Sequence, residues 1–348
     1  MHRIETSLPP IHDVPLVDED AILRLNPLGE GGYCRVESVS WNGKTLALKQ
    51  LKNETLDNPS KFRIGFKDLA TESTVLKGLD HPHIVKIHGV ASGSLQECIE
   101  SSAKGEHGFF VLMDQVDETL DKQLQKWAKQ GPGLECTTTT SNSILNIFHT
   151  SPTPQLHVHP VSWNQLVKQR LPVALEIAQA LSYLHKRGVM YRDLKPDNVG
   201  LNNGRTVKLL DFGLATTDLR CRECAGSRRY MAPEVVLRKH YTKAVDVYSF
   251  GILLWYLCGL EKPFETYTAK DHMDRVVLGG QRPPVPTWWP KSLQRLLTQC
   301  WSQFPSERPA MEDVAKQLQQ IMTEKSIVQP KKTGKVLPIT TTVSTVSA

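Results

Sequence analysis

No stretch of this chain stays apolar long enough to cross a bilayer. The most hydrophobic run, near Phe250 to Leu260, is about half the length a spanning helix needs and is broken by Gly251, Cys258 and Gly259. The N-terminus, Met1-His2-Arg3-Ile4-Glu5-Thr6, lacks the apolar core and small residues of a secretory signal. Cysteines are few, seven in 348 residues, and their odd number and irregular spacing argue against a disulfide framework and suit a reducing compartment. The basic excess is small, a formal +6, and no concentrated basic stripe is interleaved with aromatics, so a nucleic-acid partner is not expected. These absences leave an intracellular, soluble protein without a membrane span, placed in the cytoplasm with the nucleus left open. Hydrophobic residues at 40% and charged residues at 22% are ordinary for a globular protein of one large or two smaller domains.

What is present concentrates between residues 191 and 234. Tyr191-Arg192-Asp193-Leu194-Lys195-Pro196-Asp197-Asn198 is followed by Asp211-Phe212-Gly213 and then by Ala232-Pro233-Glu234. Each triplet alone is weak; their order and spacing are specific. Phosphoryl transfer needs divalent cations with hard oxygen ligands, which Asn198 and Asp211 can supply. Asp193 can accept the proton of an attacking hydroxyl or orient it, and Lys195 can reach the transferred phosphate. Between them, Val199-Gly200-Leu201, a turn at Asn203-Gly204 and Val207 to Leu210 predict a hairpin that holds both loops on one face. Upstream, Leu28-Gly29-Glu30-Gly31-Gly32-Tyr33-Cys34-Arg35-Val36 leads through Asn42-Gly43 into Thr45 to Lys49. Gly29 and Gly31 let a backbone approach a phosphate, and Val36 and Ala47 can close over a flat ring.

Together the catalytic loop, the Asp-Phe-Gly triplet and the closing Ala-Pro-Glu resemble the protein kinase family, Ser/Thr type, and Cys300-Trp301 with Arg308-Pro309-Ala310-Met311 resembles its tyrosine-kinase-like branch. The resemblance implies an α+β, two-lobed kinase fold: a small β-rich N-lobe with one regulatory helix, and a larger, mainly helical C-lobe. Residues 1–21 would be a loose arm that packs only partly and 22–324 the kinase domain, divided into N-lobe 22–113, hinge 114–117 and C-lobe 118–324. Insertions would fall at 92–108 and 131–162, and 325–348 would be a disordered tail. The implied activity is transfer of the γ-phosphate of ATP, with Mg2+ or Mn2+, to Ser or Thr hydroxyls of protein substrates in signalling. A pseudokinase scaffold is the rival, favoured by altered metal or base residues; here every one is present.

The resemblance further implies Asp193 and Lys195 as catalytic, and Asn198 and Asp211 as metal ligands. Lys49 would contact the nucleotide phosphates and pair with Glu72. Leu28, Gly29, Gly31, Val36, Ala47, Met113, Asp114 and Val116 would line the nucleotide pocket. Leu76, Ile87, Tyr191 and Phe212 would stack as a spine between the lobes, Asp246 would brace the catalytic loop, and Glu234 would pair with Arg308. The third loop glycine of the family is Cys34 here. An upstream kinase would act at Thr216, Thr217 or Ser227, with Arg192 free to pair with the added phosphate. Ser227 is otherwise expected opposite the substrate hydroxyl. Cys221 and Cys224 are expected as exposed thiols, and they and Cys34 raise the question of redox control.

Overall fold

The computed structural model describes residues 13–92, 108–130, 166–218 and 221–324. The expected insertions other than Ser92 and Gly108, the tail 325–348 and the start of the arm lie outside the described residues. The chain opens on a six-stranded sheet built from Leu16–Val17 (β1), Leu23–Glu30 (β2), Cys34–Trp41 (β3), Lys44–Leu51 (β4), Ile87–Ala91 (β5) and Phe110–Asp114 (β6), in the order β1-β5-β6-β4-β3-β2. β3 and β4 turn on Asn42 and Gly43, both at positive φ (48° and 71°), the two-residue turn whose twist matches antiparallel strands. β2 is an exposed edge strand, and its pairing shifts register on either side of Pro27, which has no N–H to give a ladder.

The end of the expected arm packs on this sheet. Leu16–Val17 pairs in parallel with Val90–Ala91, and Val17 is buried against Gly89, where an added Cβ would come within 2.5 Å of it. Behind the sheet lies one long helix, Pro59–Lys77 (α2), after the short Asn53–Leu56 (α1). The apolar spacing predicts it only from Phe66. It begins earlier because Asn58 caps it, accepting from Ser60 N (3.1 Å) and Lys61 N (3.0 Å), and Pro59 supplies a preset first turn.

The remainder is mainly helical. A small sheet, Glu118–Thr119 (β7), Val199–Asn202 (β8) and Thr206–Leu209 (β9), sits beside Leu120–Gln130 (α3), Leu171–Lys186 (α4), Pro233–Val236 (α5), Ala244–Gly259 (α6), Lys291–Cys300 (α7) and Met311–Thr323 (α8). α6 is apolar on all sides and runs through the core, as a fully enclosed helix must. The periodicity from Gln165 predicts one helix; Leu166–Arg170 is instead a π-helical turn. Its Arg170 is buried and donates to the carbonyls of Leu257 (3.4 Å) and Cys258 (3.1 Å), a cation set on the negative end of α6. Glu234 accepts from both terminal nitrogens of Arg308, at 2.5 and 2.9 Å, pinning the start of α5 to the loop before α8. Among the described residues no helix is long and apolar enough to cross a membrane.

Candidate active site

The catalytic loop is suspended from one carboxylate. Asp246, on the first turn of α6 and fully buried, accepts from Tyr191 N (2.9 Å), Arg192 N (2.8 Å) and His185 Nε2 (2.8 Å). Those bonds hold Arg192 at φ 70°, the left-handed turn that leads into Asp193. Asn198, in the turn that starts β8, donates to Asp193 O (3.0 Å) and Oδ2 (2.9 Å). Lys195 also donates to Oδ2 (2.9 Å) and, with the same ammonium, to Ser227 Oγ (3.0 Å). Asp193 Oδ1 is buried with no hydrogen-bond partner. It faces Gly226 (φ 113°), where an added Cβ would stand 3.7 Å from it and 2.6 Å from Arg192 O. Glycine thus leaves a notch over the unsatisfied oxygen of Asp193.

The β8–β9 hairpin carries the chain from Asn198 to Asp211, as the sequence predicts, with Leu210 N donating to Asn198 O (2.9 Å). Asp211 sits at φ 53°, a left-handed conformation that costs a non-glycine residue about 1 kcal/mol or more. Its Oδ1 meets Lys49 Nζ at 3.1 Å, and the same ammonium meets Glu72 Oε2 at 2.6 Å. Glu72 Oε1 in turn accepts from Phe212 N (3.2 Å). Burial works against the Lys49 ammonium, but Glu72 and Asp211 outweigh it and hold its pKa above the ordinary lysine value. Burial likewise opposes ionised Asp211, and Lys49 outweighs it, keeping that carboxyl below the usual range. One largely buried cation is therefore fixed between two carboxylates, a charge arrangement set before any ligand arrives. The Tyr191 and Phe212 rings meet edge-on at 5.1 Å and, with Leu76 and Ile87, are buried in one continuous core.

Most of the nucleotide-pocket candidates lie on strands of the larger sheet. Met113 is paired with Ala47 across β6 and β4, and Val36 with Lys49 across β3 and β4. Leu28 and Gly29 lie on the exposed β2, and Gly31 N donates to Cys34 O (2.8 Å), closing the loop tip. The Asp114 side chain is engaged elsewhere: it accepts from His88 Nε2 (2.7 Å), Lys208 Nζ (3.0 Å) and Lys86 N (3.1 Å). Burial alone would raise its pKa, but these bonds bring it down to about 2, and its backbone N–H is engaged too, donating to Lys86 O at 2.9 Å. Val116 packs over Gly200, where a Cβ would meet its methyl at 2.7 Å.

Two expectations are corrected. Arg192 is not free: Leu214 O, Cys221, Glu223 and Tyr241 all receive its hydrogen bonds. Cys221 is buried, and only Cys224 of the pair is exposed. The Cys34 thiol is buried as well, and desolvation pushes it up to about 11, the state of an unreactive thiol. Cys221 and Tyr241 had no signal in the sequence, since they lie 29 and 49 residues from the arginine they contact.

A sequence profile described as protein tyrosine and serine/threonine kinase matches residues 22–318. A probable serine/threonine-protein kinase of Dictyostelium discoideum is 30% identical over 298 residues, covering 84% of this chain and 27% of the relative. Human mitogen-activated protein kinase kinase kinase 7 is 29% identical over 303 residues, 85% of this chain and 41% of the relative. The serine/threonine/tyrosine-protein kinase HT1 of Arabidopsis thaliana is 42% identical over 147 residues, 41% of this chain and 38% of that protein. The chain thus spans between about a quarter and two-fifths of these curated relatives. Kinases of this kind generally use ATP and Mg2+. With the matched region running from β2 to α8, through every element that builds the site, the chain belongs to the protein tyrosine and serine/threonine kinase family.

Proposed function

We propose that this chain is a protein serine/threonine kinase that moves the γ-phosphate of ATP to hydroxyls of protein substrates. The observation that carries the reading is Asp193: one carboxylate oxygen is held by Asn198 and Lys195, and the other is buried, unpartnered and faces Gly226. A buried oxygen left without a donor is costly unless a ligand supplies one, and a substrate hydroxyl is such a donor. The hydroxyl oxygen forms the new bond to the γ-phosphorus as the bond to the β,γ-bridging oxygen breaks. ADP leaves, and the hydroxyl proton passes to Asp193 or to the departing phosphate. Lys195 neutralises charge on the transferred group, and Lys49, fixed by Glu72, holds the phosphates that remain.

Asn198 and Asp211 fit a divalent cation: two hard oxygen donors at the ends of one hairpin, with the remaining positions left to phosphate and water. Mg2+, or Mn2+ in its place, would neutralise phosphate charge there. Lys195-Pro196-Asp197-Asn198 after the base, and the contact of Lys195 with Ser227, favour Ser/Thr over Tyr acceptors. Nothing favours a scaffold, because the base, the lysine and both metal-ligand candidates are in place. The test is transfer of labelled phosphate from ATP to the chain itself and to a generic basic protein, with Asp211→Asn as control and mapping of the labelled residues. Mg2+-dependent label on Ser and Thr, lost in the variant, is expected. Absence of transfer together with absence of Mg2+-dependent stabilisation by ATP would move the reading to the scaffold.

A further inference from the structure

The arginine beside the candidate base is enclosed. Arg192 Nε donates to Leu214 O, and its Nη1 lies 3.0 Å from Cys221 Sγ, 3.0 Å from the Tyr241 hydroxyl and 3.1 Å from Glu223 Oε2. The partners are bonded to each other. Cys221 Sγ and the Tyr241 hydroxyl are 2.9 Å apart, and that hydroxyl donates to Glu223 O at 2.9 Å. Nη1 has two hydrogens to share among these three acceptors; the thiol S–H donates to the phenol oxygen, whose own proton is already committed to Glu223 O, which leaves the sulfur as an acceptor facing Arg192. The Arg192 side chain is 7% exposed and Cys221 8%, whereas the Glu223 side chain is 55% exposed. The thiol and the phenol therefore form the buried part of the contact, and the carboxylate closes its rim.

Four parts of the chain meet at this guanidinium: the catalytic loop, Leu214 just after Asp211-Phe212-Gly213, the tract Cys221–Glu223, and Tyr241 ahead of α6. Thr216 and Met190 add a two-way backbone bridge at 2.8 and 2.9 Å. At the far end, the close approach of Gly226 to Arg192 O makes the chain entering Ser227 follow the arginine. A buried guanidinium needs acceptors, and here the protein itself supplies them to Nε and Nη1 without a phosphate.

We propose that Cys221, Glu223 and Tyr241 are positioning residues. By occupying Arg192 they hold residues 213–218 and 221–226 in the arrangement that leaves Asp193 Oδ1 facing Gly226, with no phosphate on Thr216 or Thr217. The proposal rests on the kinase reading above. These three residues act through Arg192 and touch no reacting atom.

The test uses the full chain, freed of phosphate by phosphatase and checked by intact mass. Its two readouts are the initial rate of phosphate transfer to a generic basic protein and hydrogen exchange of the amides from 214 to 226. The unphosphorylated chain and its Thr216→Ala/Thr217→Ala variant should transfer at rates within about twofold of each other, the span of a surface change. Cys221→Ala and Tyr241→Phe should each lower kcat by about tenfold to a hundredfold, leave KM for ATP in place and speed exchange across the segment. Cys221→Ser, which can still accept and donate, should recover most of the rate. A chain silent until Thr216 or Thr217 is phosphorylated would overturn the proposal, as would Cys221→Ala and Tyr241→Phe variants with unchanged rate and exchange. If no form transfers phosphate while the segment is protected and Tyr241→Phe loosens it, the kinase reading fails and the clasp stands.

Discussion

Replacing Asp246 by asparagine keeps the size of the side chain and removes one acceptor, which makes the cost calculable. The carboxylate receives three donors: His185 Nε2 and Tyr191 N on Oδ2, and Arg192 N on Oδ1. An amide has a single oxygen. Its cheaper orientation keeps Tyr191 and His185 bonded and turns the NH2 toward Arg192 N–H, leaving two donors face to face at a site with 0% exposure. A buried backbone donor without a partner costs about 1–3 kcal/mol, and the two bonds that survive lose the strength a charged acceptor gave them. The sum is about 3 kcal/mol, which at about 2–4 °C per kcal/mol lowers the melting temperature by roughly 6–12 °C. The broken bond is the one that sets the backbone of Arg192, so kcat should fall more than stability alone explains. Urea unfolding of the full chain gives the first quantity, and phosphate transfer well below the melting temperature gives the second. An Asp246→Asn protein with an unchanged midpoint and unchanged kcat would refute the claim that this carboxylate holds the loop.

Glu234→Gln should destabilise the protein by about 3–5 kcal/mol in urea unfolding, because Arg308 stays buried with its charge uncompensated; Glu234→Leu combined with Arg308→Met should recover most of that loss, and equal losses in the two proteins would contradict the argument. Gly226→Ala forces a Cβ to within 2.6 Å of Arg192 O at φ 113°, so a strain of about 1–3 kcal/mol and a kcat loss exceeding any change in KM are expected; a normal rate would show that the notch is not needed. His272 is held at a pKa of about 4 by burial and then by the nearby Arg228 and Arg282, below its ordinary 6.5. Its contribution to stability is therefore complete above pH 6.5 and lost as pH falls toward 4. His272→Gln should flatten stability across that window by up to about 2 kcal/mol after allowance for solvent screening, and an unchanged slope would contradict the assignment.

What the sequence made legible was local. Asp193, Lys195 and Asn198 share one loop, and Asp211 follows a hairpin whose turn residues are explicit, so their meeting needed only short-range geometry. The Lys49–Glu72 contact spans helix and strand, and the family resemblance, not the periodicity, pointed to it. Where the reading missed, the cause was a signal given too little weight or one that spacing does not contain. Asn58-Pro59 already marked the start of α2, but the apolar pattern that dates a helix starts later. The π-helical turn at Leu166–Arg170 answers to the carbonyls at the end of α6, some 87 residues away, and no local propensity encodes that. The environment of Arg192 is likewise a long-range product, made of a thiol and a phenol whose identities mean little until the fold sets them 2.9 Å apart.

The central claim is that Asp193 serves the transfer step while Lys49, Asn198 and Asp211 serve the nucleotide. Measuring MgATP affinity and single-turnover phosphate transfer side by side in wild type and Asp193→Asn tests it most directly. The account predicts binding within about threefold of wild type and transfer slowed by at least about a hundredfold, the scale of general-base and orienting effects. Transfer at the wild-type rate, or affinity lost in step with transfer, would contradict it.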